Sequence, residues 1–198
     1  SLIFYDAIIM NRREAIQRVA MLMGGTVIGA SLFLEGCQRS ASKDIEMLFG
    51  PKSIDFFGDL AEAILPKTTT PGAKEAGVGS EIPVLVRDCY KLEEQQVFLT
   101  GTAGIDERAK KEFGRKFQQL DKKDQTAFVD ILDKEAQDYD EKKAANELPH
   151  FFTLFKQLTL LTFFSSKLGA TEVFRYVKIP GKYNGDFPYQ KGDHAWAT

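Results

Sequence analysis

The chain has 198 residues, of which 28 are acidic and 26 basic, giving a formal net charge of -2 and a pI near 5.8. Without a basic excess, the attraction to phosphate that dominates nucleic-acid binding has no source, so we expect no nucleic-acid partner. Two cysteines are too few for a disulfide framework or a cysteine-ligated zinc site.

The first predicted element is an export signal. Arg12 and Arg13 stand side by side shortly before an apolar run from Val19 to Leu34. Paired arginines ahead of a mildly apolar segment are typical of the twin-arginine route, which carries proteins already folded. The run of 16 residues is too short to span the ~30 Å hydrocarbon core, which argues against the alternative of a transmembrane anchor. We therefore expect a cleavable signal and leave residues 1–36 out of the fold.

Cys37 follows the apolar run directly, in the text Leu-Glu-Gly-Cys. This context suits a lipoprotein signal peptidase, so we predict acylation at Cys37 and attachment to a membrane surface. Soluble export with cleavage nearby is the alternative. Residues 37–49 are then a tether and residues 50–198 one domain. Met10 stands where a signal would begin, and we expect residues 1–9 to lie upstream of the start. Cys89 is left without a partner in the mature chain, and we expect it to be a buried apolar residue.

The hydrophobic pattern beyond the tether is helical almost throughout, and no stretch alternates with the period of a half-buried strand. We predict an all-α fold, in a single compact domain. Ser53 is expected to cap a first helix that Pro66 stops. The stretch 67–79 is rich in threonine, proline and glycine and predicts an irregular loop. A second helix is expected from Ser80, with Cys89 on its buried face.

Three further elements are predicted between residues 93 and 120. A helix covers 93–100, a turn follows at 101–104, and a longer helix spans 105–120 with Gly114 inside its apolar stripe. Asp121 is placed to cap the next helix, since Asp124 stands three residues on and apolar residues follow at helical spacing.

The most apolar helix is predicted near the C-terminus. Pro149 suits a first helical turn, apolar residues occupy nearly every face of 151–168, and Gly169 closes the helix. We expect this helix at the centre of the core, since polar and charged residues interrupt it too often for a membrane span. A short helix over 171–177 leads into an irregular, aromatic-rich tail, 178–198. That tail is too apolar to stay free in solution, so it must pack on its own domain or on a partner.

Signals for enzyme chemistry are missing from the sequence. There is no glycine-rich dinucleotide fingerprint, no phosphate-binding loop and no serine between glycines in a nucleophile elbow. His150 and His194 are the two histidines, and each stands alone, so a structural role is expected for both. No catalytic, cofactor-binding or metal-ligating residue is predicted.

Two stretches resemble a known family. The first is Thr68-Thr69-Thr70-Pro71-Gly72-Ala73-Lys74-Glu75-Ala76-Gly77-Val78, placed after a helix that ends in Ile64-Leu65-Pro66. The second is 151–169, followed by Tyr183-Asn184-Gly185-Asp186. In order and spacing they resemble the gluconate 2-dehydrogenase subunit 3 family, over most of residues 50–198.

The resemblance implies a function. Members are the small, non-catalytic subunit of exported, membrane-associated, FAD-dependent sugar or polyol dehydrogenases, beside a large flavoprotein and usually a cytochrome c subunit. It implies no flavin or haem in this chain, FAD in the large subunit and haem c in the third. The chain would then be periplasmic and membrane-associated, and one twin-arginine signal would export both it and the flavoprotein. A free-standing periplasmic lipoprotein for ligand binding or scaffolding is the alternative. A dehydrogenase in its own right would need a cofactor site that the sequence does not contain.

The contact surfaces with the flavoprotein are predicted in the loop and in the tail. The predicted contact residues are Thr70, Pro71, Gly72, Ala73, Tyr183, Phe187, His194 and Trp196. An aromatic such as Trp196 can act as an anchor in a partner's pocket. The alternative is that the tail seals the chain's own core.

Overall fold

Helices make up most of the described chain. The computed structural model describes residues 43–179, 181 and 184–197. Within these ranges the helices are α1 (Pro51–Ile64), α2 (Val78–Cys89), α3 (Leu92–Ala103), α4 (Ile105–Phe113), α5 (Lys122–Lys142) and α6 (Phe151–Ser165). Shorter elements are 3₁₀ turns at Lys43–Phe49 and Phe117–Gln119, a π-helical turn at Gly169–Val173, and two-residue strands β1 (Arg175–Tyr176) and β2 (Trp196–Ala197). The all-α prediction is confirmed. Arg12, Arg13, Cys37 and Tyr183 lie outside the described residues, so what was predicted for them stays a prediction.

Helix α6 is the centre of the core, as predicted. It packs against α1, α2, α3 and α5, and Phe152 and Phe155 are fully buried. The ring of Phe155 stacks on Phe98 of α3 at 6.1 Å between centroids and lies 6.0 Å from Phe57 of α1. Each such side chain contributes about 1.5–3 kcal/mol through burial. Along the described chain, no helix is both long and apolar enough to cross a membrane.

Helix α1 begins three residues earlier than the sequence predicted. Gly50 is its N-cap, and Pro51 takes the first helical position, where its missing N–H costs no hydrogen bond. The predicted cap, Ser53, is already inside the helix and donates its hydroxyl to the Met47 carbonyl at 3.0 Å. It therefore ties α1 to the preceding 3₁₀ turn.

Helix α2 also begins two residues early, at Val78, after Gly77 in the left-handed region at φ 77°. Its buried face is Val78, Ile82 and Val86, at four-residue spacing. Cys89 occupies the last position of α2 and is exposed. The prediction of a buried Cys89 is wrong, because its place at the end of the helix carries it past that buried face.

Gly114 divides what the sequence indicated as one helix over 105–120. Helix α4 ends at Phe113, and Gly114 follows at φ 75° with its N–H donating to the Lys110 carbonyl at 2.9 Å. Glycine is the residue that adopts this left-handed C-cap without strain. Phe117 lies in the 3₁₀ turn that follows and is buried. The prediction that Asp121 caps the next helix is confirmed, since its carboxylate accepts the Asp124 N–H at 2.8 Å.

The elements around α6 also differ from the prediction. His150 is the N-cap, so Pro149 precedes the helix, and α6 ends at Ser165 rather than at 168. Gly169 packs against the Phe163 carbonyl so closely that an added Cβ would overlap it. The predicted helix over 171–177 is replaced by the π-helical turn and β1. The predicted turn over 101–104 is also shorter, because α3 runs to Ala103.

Candidate interaction surfaces

The loop between α1 and α2 is closed by one carboxylate of α1. Glu62 accepts the Lys67 N–H at 2.8 Å and the Lys74 N–H at 2.9 Å, one on each oxygen. A Cβ added to Gly72 would overlap that carboxylate. Glycine is needed here for close approach, and the loop is held in one conformation at both ends.

A charged cluster fastens the same loop to α1. The ammonium of Lys74 lies 2.6 Å from Asp59 and 2.8 Å from Asp55, and the Gln118 amide donates to both carboxylates at 2.7 and 3.2 Å. The hydrogen bond and charge of Lys74 lower the pKa of Asp55, and the hydrogen bonds that Lys74 donates to Asp55 and Asp59 raise the pKa of Lys74. Because these groups are largely solvated, the cluster orients the loop more than it stabilises the domain.

The four predicted contact residues of the loop are not equally accessible. Ala73 is fully buried and belongs to the core, and Gly72 is buried against Glu62. Thr70 and Pro71 are half-buried, whereas the segment 66–69 is exposed. A partner at this loop would therefore meet Thr70, Pro71 and the exposed segment, with Gly72 and Ala73 shaping the loop from beneath.

The tail forms a small aromatic cluster around Arg175. The Arg175 guanidinium lies 4.7 Å from the centre of the Trp196 ring and 5.7 Å from that of Phe187. The two rings meet edge to face at 5.2 Å. The Arg175 N–H donates to the Ala195 carbonyl at 2.8 Å, pairing β1 with β2 in parallel. Cation–π contacts of this kind contribute about 0.5–1 kcal/mol at exposed sites.

The aromatic side chains of the tail remain accessible. Trp196 and Phe187 are 49% and 46% exposed, and His194 is exposed. The buried core ends at Phe163 along the described chain. Where it is described, the tail therefore packs mainly on itself and does not cover the helical core.

A third surface, which the sequence analysis did not predict, lies on α3. Between Gln95 and Ile105 the chain has no charged residue, yet Gln96, Thr100 and Ala103 are exposed. The Gln96 amide donates to the Thr100 hydroxyl at 3.1 Å, one turn on. We call Gln96, Leu99, Thr100 and Ala103 the α3 ridge.

A groove runs along each side of the α3 ridge. Groove A, of about 610 Å³, lies between α3, α1 and the two 3₁₀ turns, and groove B, of about 790 Å³, lies between α3, the end of α5 and the start of α6. Gln96 and Thr100 line both grooves. The ridge and the two grooves are therefore one continuous surface.

Four exposed apolar side chains line the grooves beside the ridge. Met47 lines groove A and is 67% exposed, and Leu92, Tyr139 and Leu148 line groove B and are 55%, 42% and 36% exposed. The charged residues that line groove A are Asp44, Lys52 and the ion pair of Lys116 with Asp106, at 3.2 Å. In groove B the charged lining residue is Glu93.

Close packing of α3 on α6 forms one side of groove B. A Cβ on Gly101 would overlap the Phe151 ring, so α3 approaches the start of α6 only because position 101 has no side chain. His150 caps α6 there, with Nδ1 accepting the Phe152 N–H at 3.3 Å. Burial lowers the pKa of His150, against the opposing charges of Glu135 and Asp140. The neutral imidazole is thus the form that caps the helix.

The described residues at these surfaces offer groups suited to recognition. They contain no cluster of three or more His, Cys, Asp or Glu side chains that could hold a metal ion. His150 serves as a helix cap and His194 lies in the tail. Aromatic rings, amides and hydroxyls dominate the three surfaces, which suits them to binding another protein.

Comparison with known proteins gives one match. The family model described as gluconate 2-dehydrogenase subunit 3 matches residues 51–181. No curated protein and no solved structure matches the chain. The matched range includes the loop after α1 and the α3 ridge, whereas Phe187, His194 and Trp196 lie beyond it.

Proposed function

Since the chain belongs to the gluconate 2-dehydrogenase subunit 3 family, we propose that it is the non-catalytic small subunit of an exported, FAD-dependent sugar or gluconate-type dehydrogenase. In this role it binds a larger flavoprotein subunit, which holds the FAD and carries out the oxidation. A cytochrome c subunit with haem c is the third member of the complex that the family resemblance implies. The match over residues 51–181 is the observation that carries this proposal.

Export and attachment follow from the first 37 residues in this proposal. Arg12 and Arg13 direct the folded complex to the twin-arginine route, so one signal serves two chains. Acylation of Cys37 then holds the complex at the periplasmic face of a membrane, and more than one acyl chain is needed for stable anchoring. The sequence pattern supports this part of the proposal.

Purification in the native host tests the accessory role. A C-terminally tagged chain is solubilised from membranes in mild detergent, and the absorption spectrum and the masses of all co-purifying proteins are recorded. We expect a larger protein with a flavin spectrum. A colourless chain that purifies alone, both before and after export, would contradict the proposal and favour a free-standing lipoprotein.

A second variant separates export from binding. Replacing Arg12 and Arg13 with lysine keeps the charge but removes the paired arginines. We expect this chain and the flavoprotein to remain together in the cytoplasm. Export of the flavoprotein without the variant would show that the large subunit does not depend on this signal.

A further inference from the structure

We propose that the α3 ridge, with grooves A and B beside it, is the surface on which the larger dehydrogenase subunit docks. This inference rests on the proposed function, because it names the site at which that subunit binds. It assigns the centre of the interface to α3 rather than to the loop after α1 or to the aromatic tail.

The α3 ridge lies in a stretch without charged residues. Charged residues make up 27% of the chain, but the eleven residues from Gln95 to Ile105 contain none, although three of them are exposed. The exposed faces of α4 and α5 carry acidic and basic residues in almost every turn. Depletion of charge is what distinguishes the centre of a protein interface from the remaining surface.

Apolar exposure is the second argument. Met47, Leu92, Tyr139 and Leu148 flank the ridge and are each more than a third exposed. Single exposed apolar residues are ordinary, whereas these four line the two grooves, of about 610 and 790 Å³, on either side of one helix. Such a surface fits a partner that offers apolar side chains on either side of an uncharged contact.

The location of the ridge agrees with the dehydrogenase subunit as its partner. The ridge and all residues that line groove B lie inside the range matched by the family model, 51–181, but the aromatic residues at 187 and 196 lie outside it. A surface that serves the role shared by a family belongs to the part of the chain that defines the family. The partner is therefore the dehydrogenase subunit implied by that role.

The size of the patch agrees with a protein partner. Helix α3 has 12 residues and is about 18 Å long, and a groove lies along each side of it. A standard interface buries ~800 Å² on each partner, so this surface can form the uncharged centre of such an interface. The remaining contact area then comes from the charged surface around it.

Introducing charge on the ridge tests the proposal. The variant carries Gln96→Lys and Thr100→Lys, at exposed helical positions where lysine is a good helix former. The matched control carries Gln137→Lys and Thr126→Lys, exposed positions on α5 away from the ridge. All chains are full-length, expressed in the native host, and purified from membranes through a C-terminal tag. The yield of the larger flavin-containing subunit per tagged chain is measured.

We expect at least a tenfold loss of the flavin subunit with the ridge variant and less than a twofold change with the control. Helical circular dichroism should be unchanged in both. If the wild-type chain retains the flavin subunit and the ridge variant retains it equally, the docking surface is wrong and the proposed function stands. If the wild-type chain brings down no dehydrogenase subunit, both are overturned.

Photo-crosslinking identifies the occupant directly. With p-benzoylphenylalanine in place of Thr100, illumination of the native membranes should yield an adduct containing the larger subunit. An adduct with the mass of two copies of this chain, or an internal crosslink to its own N-terminal residues, would overturn the proposal in favour of that occupant. The same residue placed at 126 is the control and should give no adduct with the larger subunit.

Discussion

Replacing Gly79 with alanine should destabilise the domain by separating α1 from α2. A Cβ at position 79 would lie 2.7 Å from the Gly58 N and 2.9 Å from the Gly58 Cα, and closer still to the Ile54 carbonyl oxygen. These are backbone atoms of α1, so no side-chain rotation relieves the overlap. Helix α2 must withdraw by about 1 Å to restore ordinary contact distances.

The cost of that withdrawal follows from what the two helices bury against each other. Val78, Ile82 and Val86 of α2 and Leu60 of α1 are all fully buried. A gap of up to 1 Å forfeits a quarter to a half of each dispersion contact, so we expect a loss of about 3–4 kcal/mol in unfolding free energy, at or slightly above the upper end of the ~1–3 kcal/mol typical of an overpacked site. The better helix propensity of alanine returns about 1 kcal/mol. The net destabilisation is about 2–3 kcal/mol.

Thermal unfolding followed by circular dichroism measures this effect. For a domain of this size, 1 kcal/mol shifts Tm by about 2–4 °C, so the Gly79→Ala chain should melt about 5–10 °C below wild type. Gly104→Ala is the control, because its nearest neighbours would lie at 3.6 and 3.8 Å and its φ is -79°. That variant should be neutral or slightly stabilised. A Tm for Gly79→Ala within 2 °C of wild type would refute the reasoning.

Three further predictions concern the core, the loop and pH. Phe98→Ala removes the ring stacked on Phe155 and should lower the unfolding free energy in urea by about 3–5 kcal/mol; a loss below 1 kcal/mol would contradict the core assignment. Glu62→Ala leaves two backbone donors of the loop without their acceptor and should cost about 1–3 kcal/mol, with faster proteolysis at the loop; unchanged cleavage would show that the carboxylate does not close it. Burial lowers the pKa of the His150 imidazole below its usual value of 6.5, so its stabilising contribution is complete above that value and is lost as pH falls through the folded pKa. Between pH 7.5 and 5.0 the wild-type Tm should therefore fall further than that of His150→Asn, which keeps a capping side chain without a titrating group; parallel profiles would contradict this.

The parts of the fold that the sequence predicted well have local causes. Asp121 caps α5 because its carboxylate reaches an N–H three residues on, and this geometry needs no tertiary contact. The run 151–165 has apolar residues on nearly every face, so burial of that helix does not depend on which neighbour packs against which side. These patterns were enough to predict that both segments are helical and that 151–165 lies in the core.

The errors arose where one residue had two compatible interpretations. Gly114 interrupts an apolar stripe that continues to Phe117, and periodicity alone cannot distinguish a tolerated glycine from a left-handed C-cap. Cys89 continues the spacing of Val86 by three residues, but α2 ends there and leaves it exposed. Both outcomes depend on where neighbouring elements lie, which one sequence does not specify.

The α3 ridge was missed for a related reason. Gln96 and Thr100 are ordinary residues on a helix surface, and the grooves beside them are formed by segments at 43–53, 116–118 and 148–151. No local pattern brings these segments together. The absence of charge from Gln95 to Ile105 was the available signal, and it acquires meaning once part of that stretch is known to face solvent.

Trp196 is the single tryptophan of the chain, and its position affects how the protein can be observed. Its ring lies against Arg175 and Phe187 in the tail, apart from the aromatic core around α6. Tryptophan emission will therefore report release of the tail, whereas circular dichroism will report melting of the helices. The two denaturation curves of this protein can therefore differ because the two optical probes lie in different parts of the molecule. Such a difference would not by itself indicate a folding intermediate.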